Sequence, residues 1–135
     1  MSAESVELSA QECTTLIAGG GIGRVVFCNE RGPQIYPVSF IVHGDDIIFR
    51  TSSYTTLGTS MHGQPVAFEV DELDLERRLG WSVIVTGVAQ ALDDPDDVAR
   101  LSHCEGLEPW AGGARRLYVR IAPRGITGRR VGHDR

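Results

Sequence analysis

Arg50-Thr51-Ser52-Ser53-Tyr54-Thr55-Thr56 sets one arginine and five aliphatic hydroxyls within seven residues. A guanidinium grips a phosphate with paired N–H groups. The hydroxyls stand where a strand pattern gives way to a helix pattern, and a helix start adds unpaired N–H groups and the positive end of a dipole. This is chemistry for a phosphate that is held rather than transferred. The same Ser and Thr residues serve equally well as a helix cap and a polar turn. A second stretch, Tyr36-Pro37-Val38-Ser39-Phe40, puts a proline inside a strand-like run. Proline donates nothing to a ladder, so it marks an edge, a bulge or interrupted pairing. Backbone groups left free there can read the rim of a flat heterocycle.

Two aromatic positions complete the set. Trp81, in Gly80-Trp81-Ser82, opens a strand after a charged turn and suits either a ligand, a partner subunit or the core. Trp110, in Pro109-Trp110-Ala111-Gly112-Gly113 ahead of Arg115 and Arg116, sits in a Gly-rich loop that resembles a lid over a ring or an aromatic tucked under a loop. Other chemistries find no support. His43, His62, His103 and His133 lack metal-ligand spacing, and Cys13, Cys28 and Cys104 form no CxxC pair. No GxSxG or HExxH run occurs. Gly19 to Gly23 reads GGGIG, without dinucleotide-fold spacing, and precedes a strand. All 13 basic residues are Arg, which excludes a Schiff-base lysine and a phosphate-loop lysine.

The elements that must position these residues are mostly strands. Ser9 and Glu12 form a capping box, predicting a helix over Ser9 to Ala18 that Gly19-Gly20-Gly21 ends. Strands follow at Ile22 to Cys28, Gln34 to Val42 and Asp46 to Thr51, with turns at Asn29 to Gly32 and Gly44 to Asp46. Ser52 to His62 reads as a short helix. Val66 to Val70 is a strand leading into acidic residues, and Gly80 to Leu92 is a long strand bent or bulged at Gly87. Asp94-Pro95-Asp96-Asp97 starts a helix running to about His103. Glu105 to Ala114 is a loop, and the chain closes with one or two strands: Arg115 to Ala122 and, as the second, Gly125 to Val131. Adjacent strands joined by tight turns predict antiparallel pairing, and a barrel removes their edges.

A chain of 135 residues holds one domain. The reading is a single domain over 1–135, with flexible tails at 1–8 and 132–135. A net charge of −5 argues against binding nucleic acid or an anionic membrane. The arginine-rich end, Arg115 to Arg135, is the one feature favouring nucleic acid. With no apolar run of membrane-spanning length and no leader at Met1-Ser2-Ala3-Glu4, a cytoplasmic protein is the expectation.

Taken together, Ile35 to Phe40, Ile47 to Leu57, Val66 to Asp71, Gly80 to Gly87, Pro109-Trp110 and Arg115 to Ile121 resemble the pyridoxamine 5′-phosphate oxidase-like family. The resemblance implies a mainly β, antiparallel split β-barrel of the FMN-binding type, paired as a homodimer with two cofactor sites at the subunit interface. It implies that Pro37, Val38, Ser39 and Phe40 lie along the flavin ring and that Arg50, Thr51 and Thr55 hold the phosphate; the hydroxyl run itself adds Ser52 and Thr56 as candidates there. Trp81 and Ser82 would come from the other subunit; Trp110, read from its Gly-rich loop, is the candidate for a further wall of the ring site. Many relatives read RTxxGTKL where this chain reads RTSSYTTL, so Tyr54 replaces a common glycine and Thr56 a phosphate-binding lysine. Loss of one charge-assisted hydrogen bond would weaken FMN by roughly tenfold to a hundredfold. The implied function is an FMN-dependent oxidoreductase, or one using the deazaflavin F420, acting on a small molecule by hydride or electron transfer. The alternative is a non-enzymatic protein that binds or senses flavin, F420 or heme.

Overall fold

The computed structural model describes residues 5–51, 61–107 and 117–132. The elements run β1 (Ser5–Glu7), α1 (Ala10–Ile17), β2 (Gly21–Asn29), β3 (Gly32–His43), β4 (Asp46–Thr51), β5 (Pro65–Asp74), β6 (Leu79–Leu92), α2 (Pro95–Leu101) and β7 (Leu117–Val131). Every strand pairing is antiparallel. The order β1-β7-β4-β3-β2-β5-β6 closes because β6 also pairs with β7, giving a six-stranded barrel with β1 outside it. The closure is uneven: β2 meets β5 at only Arg24 to Val26, and β3 meets β4 at only Phe40 to His43. The antiparallel split barrel is therefore as the sequence predicts.

Local chemistry explains the elements. Ser9 caps α1 in a reciprocal box: its hydroxyl accepts from Glu12 N at 3.1 Å, and its own N–H donates to Glu12 Oε1 at 2.9 Å. The Ser9 backbone N–H holds the Glu12 carboxyl below its ordinary pKa. Asp94 caps α2, with Pro95 in its first turn. The β2–β3 hairpin turns through Glu30-Arg31, where Gly32 takes a φ of 100° that few other residues tolerate. At Gly87 the β6–β7 register shifts; a Cβ there would collide with the Ala122 carbonyl oxygen.

The main core fills the barrel and includes Val25, Phe27, Phe40, Phe49, Phe68, Val83, Val85 and Ile121, with Cys13 and Ile17 of α1 added from outside. The Phe40 and Phe68 rings meet edge-on at 5.0 Å. Burial raises the pKa of the Cys13 thiol. A second core, Ile48, Leu101, Leu107 and Tyr118, lies on the outer face of β4 and β7 under α2. That is why Ile47, Ile48 and Phe49 are all buried: both faces of β4 are covered.

Several boundaries differ from the sequence reading. Ser5–Glu7 pair with Arg129–Val131 and Leu8 is buried, so residues 5–8 are not a tail. The acidic run after Val70 remains in strand to Asp74, because β6 pairs with it down to Asp74↔Leu79. Residues 117–131 form one bulged strand rather than two. The helix read over Ser52 to His62 and the loop after Leu107 fall largely outside the described residues. Among the described residues, no helix is long and apolar enough to cross a membrane.

Candidate functional site

The proline in β3 has a specific placement. Pro37 stands opposite Arg24 of β2, while β4 pairs with β3 only from Phe40 onward. Its missing donor therefore falls on a stretch with one neighbouring strand, which is the edge outcome of the sequence reading. Among the described residues, Gly32 to Ser39 of β3 have no partner strand on the β4 side. Backbone groups on that edge can meet a ligand. The side chains divide by alternation: Val38 and Phe40 point into the core, whereas Pro37 is exposed and Ser39 half-buried on the outer face.

Arg50 comes next to this edge. Phe40 and Phe49 are the last paired residues of β3 and β4, so Ser39 and Arg50 are neighbours one step beyond, on the outer face. The Thr51 side chain turns inward and is buried. Arg50 lies over the ring of Tyr118, its cross-strand partner on β7, with 5.8 Å between the guanidinium carbon and the ring centre. Its Nη1 donates to the Leu107 carbonyl at 3.4 Å. Its buried Nε finds no acceptor, and neither does the buried hydroxyl of Tyr118. No ion pair of Arg50 occurs among the described residues. Arg120, two residues beyond Tyr118, has a buried Nε that likewise lacks a hydrogen-bond acceptor, but it differs in charge: Asp46 stands 3.8 Å from that Nε, and its Nη2 donates to Gln90. Tyr118 escaped the sequence reading; the available signal was its i, i+2 spacing with Arg120 on the outward side of RLYVRI.

Trp81 and Ser82 sit far from this corner. Trp81 is half-buried against the main core, between Glu72 of β5 and Arg130 of β7. It borders an open hollow of about 640 Å³ at the β5–β6 hairpin, also lined by Glu72, Leu73, Leu75 and Gly80. Arg50 pairs with Tyr118, whereas Trp81 pairs with Arg130. Twelve residues of one strand separate those positions, an upper limit of about 40 Å along β7 at 3.3 Å each, shortened by its bulge and curvature. One chain thus groups Pro37, Ser39, Arg50 and Thr51 and leaves Trp81 and Ser82 at its other end. Ser52, Thr55, Thr56 and Trp110 lie outside the described residues.

The opposite outer face is apolar and bare. Ile22, Ile35 and Ile84 are 40%, 61% and 44% exposed. The rungs Ile35–Val26–Ala67–Thr86 and Pro37–Arg24–Glu69–Ile84 place them on one surface across β3, β2, β5 and β6. At its centre Arg24 Nη1 donates to Glu69 at 3.0 Å and to Asp71 at 3.5 Å. Burial, then the neighbouring Asp71, pushes the Glu69 carboxyl above its ordinary pKa. Among the described residues no group of His, Cys, Asp or Glu could hold a metal ion.

Known proteins share this architecture. A family model described as pyridoxamine 5′-phosphate oxidase matches residues 9–130. An uncharacterised protein of Mycobacterium tuberculosis is 39% identical over 136 residues, covering 97% of this chain and 88% of its own. The solved structure of an FAD binding protein from Mycobacterium smegmatis is 38% identical, with a TM-score of 0.79, covering 96% of this chain and 100% of its own. An FAD-binding protein from Mesorhizobium loti, 20% identical with a TM-score of 0.78 over 97% of this chain and 99% of its own, shares the fold.

Proposed function

The chain belongs to the pyridoxamine 5′-phosphate oxidase family, and on that premise we propose that it binds a flavin nucleotide and works as a flavin-dependent oxidoreductase on a small molecule. One observation carries the reading. The unpaired edge of β3 ends beside an arginine whose charge has no carboxylate partner among the described residues. A planar ring fits along Ile35 to Ser39, and its anionic tail fits Arg50. The buried Nε without an acceptor is what such a tail would satisfy.

When bound, the flavin supplies hydride or electron transfer itself. The residues of this chain bind and orient it: Pro37 to Phe40 shape the ring edge, and Arg50 and Thr51 take the phosphate end, with Ser52, Thr55 and Thr56 beside them in sequence. No acid–base pair is required of the protein, which suits the lack of a catalytic dyad in the sequence. FMN or FAD is the favoured ligand, because the relative from Mycobacterium smegmatis is named as FAD binding; F420 is the alternative. Storage or sensing of the same ligand without turnover is the second reading, favoured by Thr56 where relatives carry lysine.

We propose further that two copies pair. Arg50 and Trp81 pair with opposite ends of β7, so a site using both is more readily built from two chains, and the bare apolar face offers the contact. Trp81, Ser82 and the hollow beside them would then complete the partner's ring site, joined by Trp110. The test is titration of the purified protein with FMN, FAD and F420, followed by flavin fluorescence and by anaerobic reduction of candidate acceptors. Saturable binding below millimolar concentration is expected; no binding of any of the three would overturn the reading.

A further inference from the structure

Tyr118 is fully buried, yet its hydroxyl has no hydrogen-bond partner. Buried polar side chains nearly always find one, so an orphan asks for an explanation. This orphan does not stand alone. The guanidinium of Arg50 rests over the same ring, and its buried Nε is a second donor without an acceptor. An arginine can only donate, so a hydroxyl beside it that accepts nothing from it is free to donate as well. Among the described residues no carboxylate pairs with Arg50, and three of those on the surrounding elements are engaged elsewhere. Asp46 faces Arg120 at 3.8 Å, Asp94 accepts from Asp96 N at 2.9 Å, and Asp97 pairs with Arg100. A water would satisfy one donor but leave the positive charge without a counter-ion. An oxyanion satisfies both.

We infer that Tyr118 is a ligand-binding residue, its hydroxyl and the Nε of Arg50 acting as paired donors to one phosphate or pyrophosphate oxygen group of the bound nucleotide. The Tyr118 ring also positions the arginine. Stacked under the guanidinium, it fixes Arg50 at the rung beside Ser39, where the open edge of β3 begins. The identity of the nucleotide rests on the flavin reading; the oxyanion site rests on the two orphan donors.

The experiment compares wild type, Tyr118→Phe and Arg50→Lys by titration with FAD, and with inorganic pyrophosphate followed by thermal shift. Tyr118→Phe keeps the ring and removes only the hydroxyl, and Arg50→Lys keeps the charge and removes Nε. Without ligand, Tyr118→Phe should melt no lower than wild type, because it deletes an unsatisfied group; a merely structural hydroxyl would lower the melting point. With ligand, each variant should lose roughly tenfold or more in affinity for FAD and for pyrophosphate. A Tyr118→Phe protein that binds both as wild type does overturns the inference and leaves the flavin reading standing. Wild type that binds pyrophosphate but no flavin, with the loss in Tyr118→Phe, supports the site and removes the flavin. Wild type that binds neither overturns both.

Discussion

The barrel has two outer faces that solve opposite problems. Over β4 and β7, helix α2 covers Ile48 and Tyr118, so the apolar surface is satisfied while three buried donors, Arg50 Nε, the Tyr118 hydroxyl and Arg120 Nε, lack a hydrogen-bond acceptor; of the two arginines only Arg120 has a carboxylate near. Over β3, β2, β5 and β6 nothing in the described residues covers Ile22, Ile35 and Ile84, yet the central charges, Arg24 with Glu69 and Asp71, answer one another. Unsatisfied donors under cover call for a small anionic ligand, since leaving a buried donor unpaired costs about 1–3 kcal/mol. Bare apolar surface with satisfied charge calls for another macromolecular surface. On the proposed reading the first face serves the ligand's anionic end and the second face the partner, with β3 bordering both.

Breaking the second face should have the largest effect. Ile22→Glu combined with Ile84→Glu puts carboxylates on the bare surface without touching the core or the β3 edge. Sedimentation velocity should show the dimer become a monomer, and flavin affinity should fall by about a hundredfold or more as the Trp81 side of the site is lost. Breaking the first face is more selective. Arg50→Gln should weaken flavin by roughly tenfold to a hundredfold while the sedimentation coefficient is unchanged. If both changes altered oligomeric state alike, the two faces would not be separate devices.

The smallest effect concerns Glu69. Burial and Asp71 raise its pKa, so the folded protein holds that proton more tightly than the unfolded chain does. The stability this gives is complete below the ordinary value of 4.5 and is lost as pH rises through the raised value. Glu69→Gln should therefore gain in melting temperature relative to wild type as pH rises through that window, by a few degrees at most because the group is partly solvated. A difference that does not vary with pH would mean that burial and Asp71 leave Glu69 unperturbed.

Much of the fold was legible in local chemistry. The Ser9–Glu12 box, the Gly32 turn, Pro95 at the start of α2 and the bulge at Gly87 each act within a few residues, and each stands where the sequence put it. The misses were long-range. Ser5–Glu7 are a strand only because Arg129–Val131 lie beside them, and the acidic residues to Asp74 are extended only because β6 pairs with them. The site was half legible for the same reason. Arginine, hydroxyls and an interrupting proline announce an anion and a free edge. That Tyr118 lies beneath Arg50 follows from β4–β7 register, which no local pattern encodes.

The central claim is that one site takes Arg50 from one copy and Trp81 from the other, and mixing tests it most directly. Arg50→Gln and Trp81→Ala are each expected to bind flavin poorly as homodimers. Co-refolded in equal amounts, half of the dimers are mixed, and each mixed dimer holds one site with neither change, so about one site in four should recover wild-type flavin affinity. No recovery, in a mixture shown to contain mixed dimers, would contradict the account.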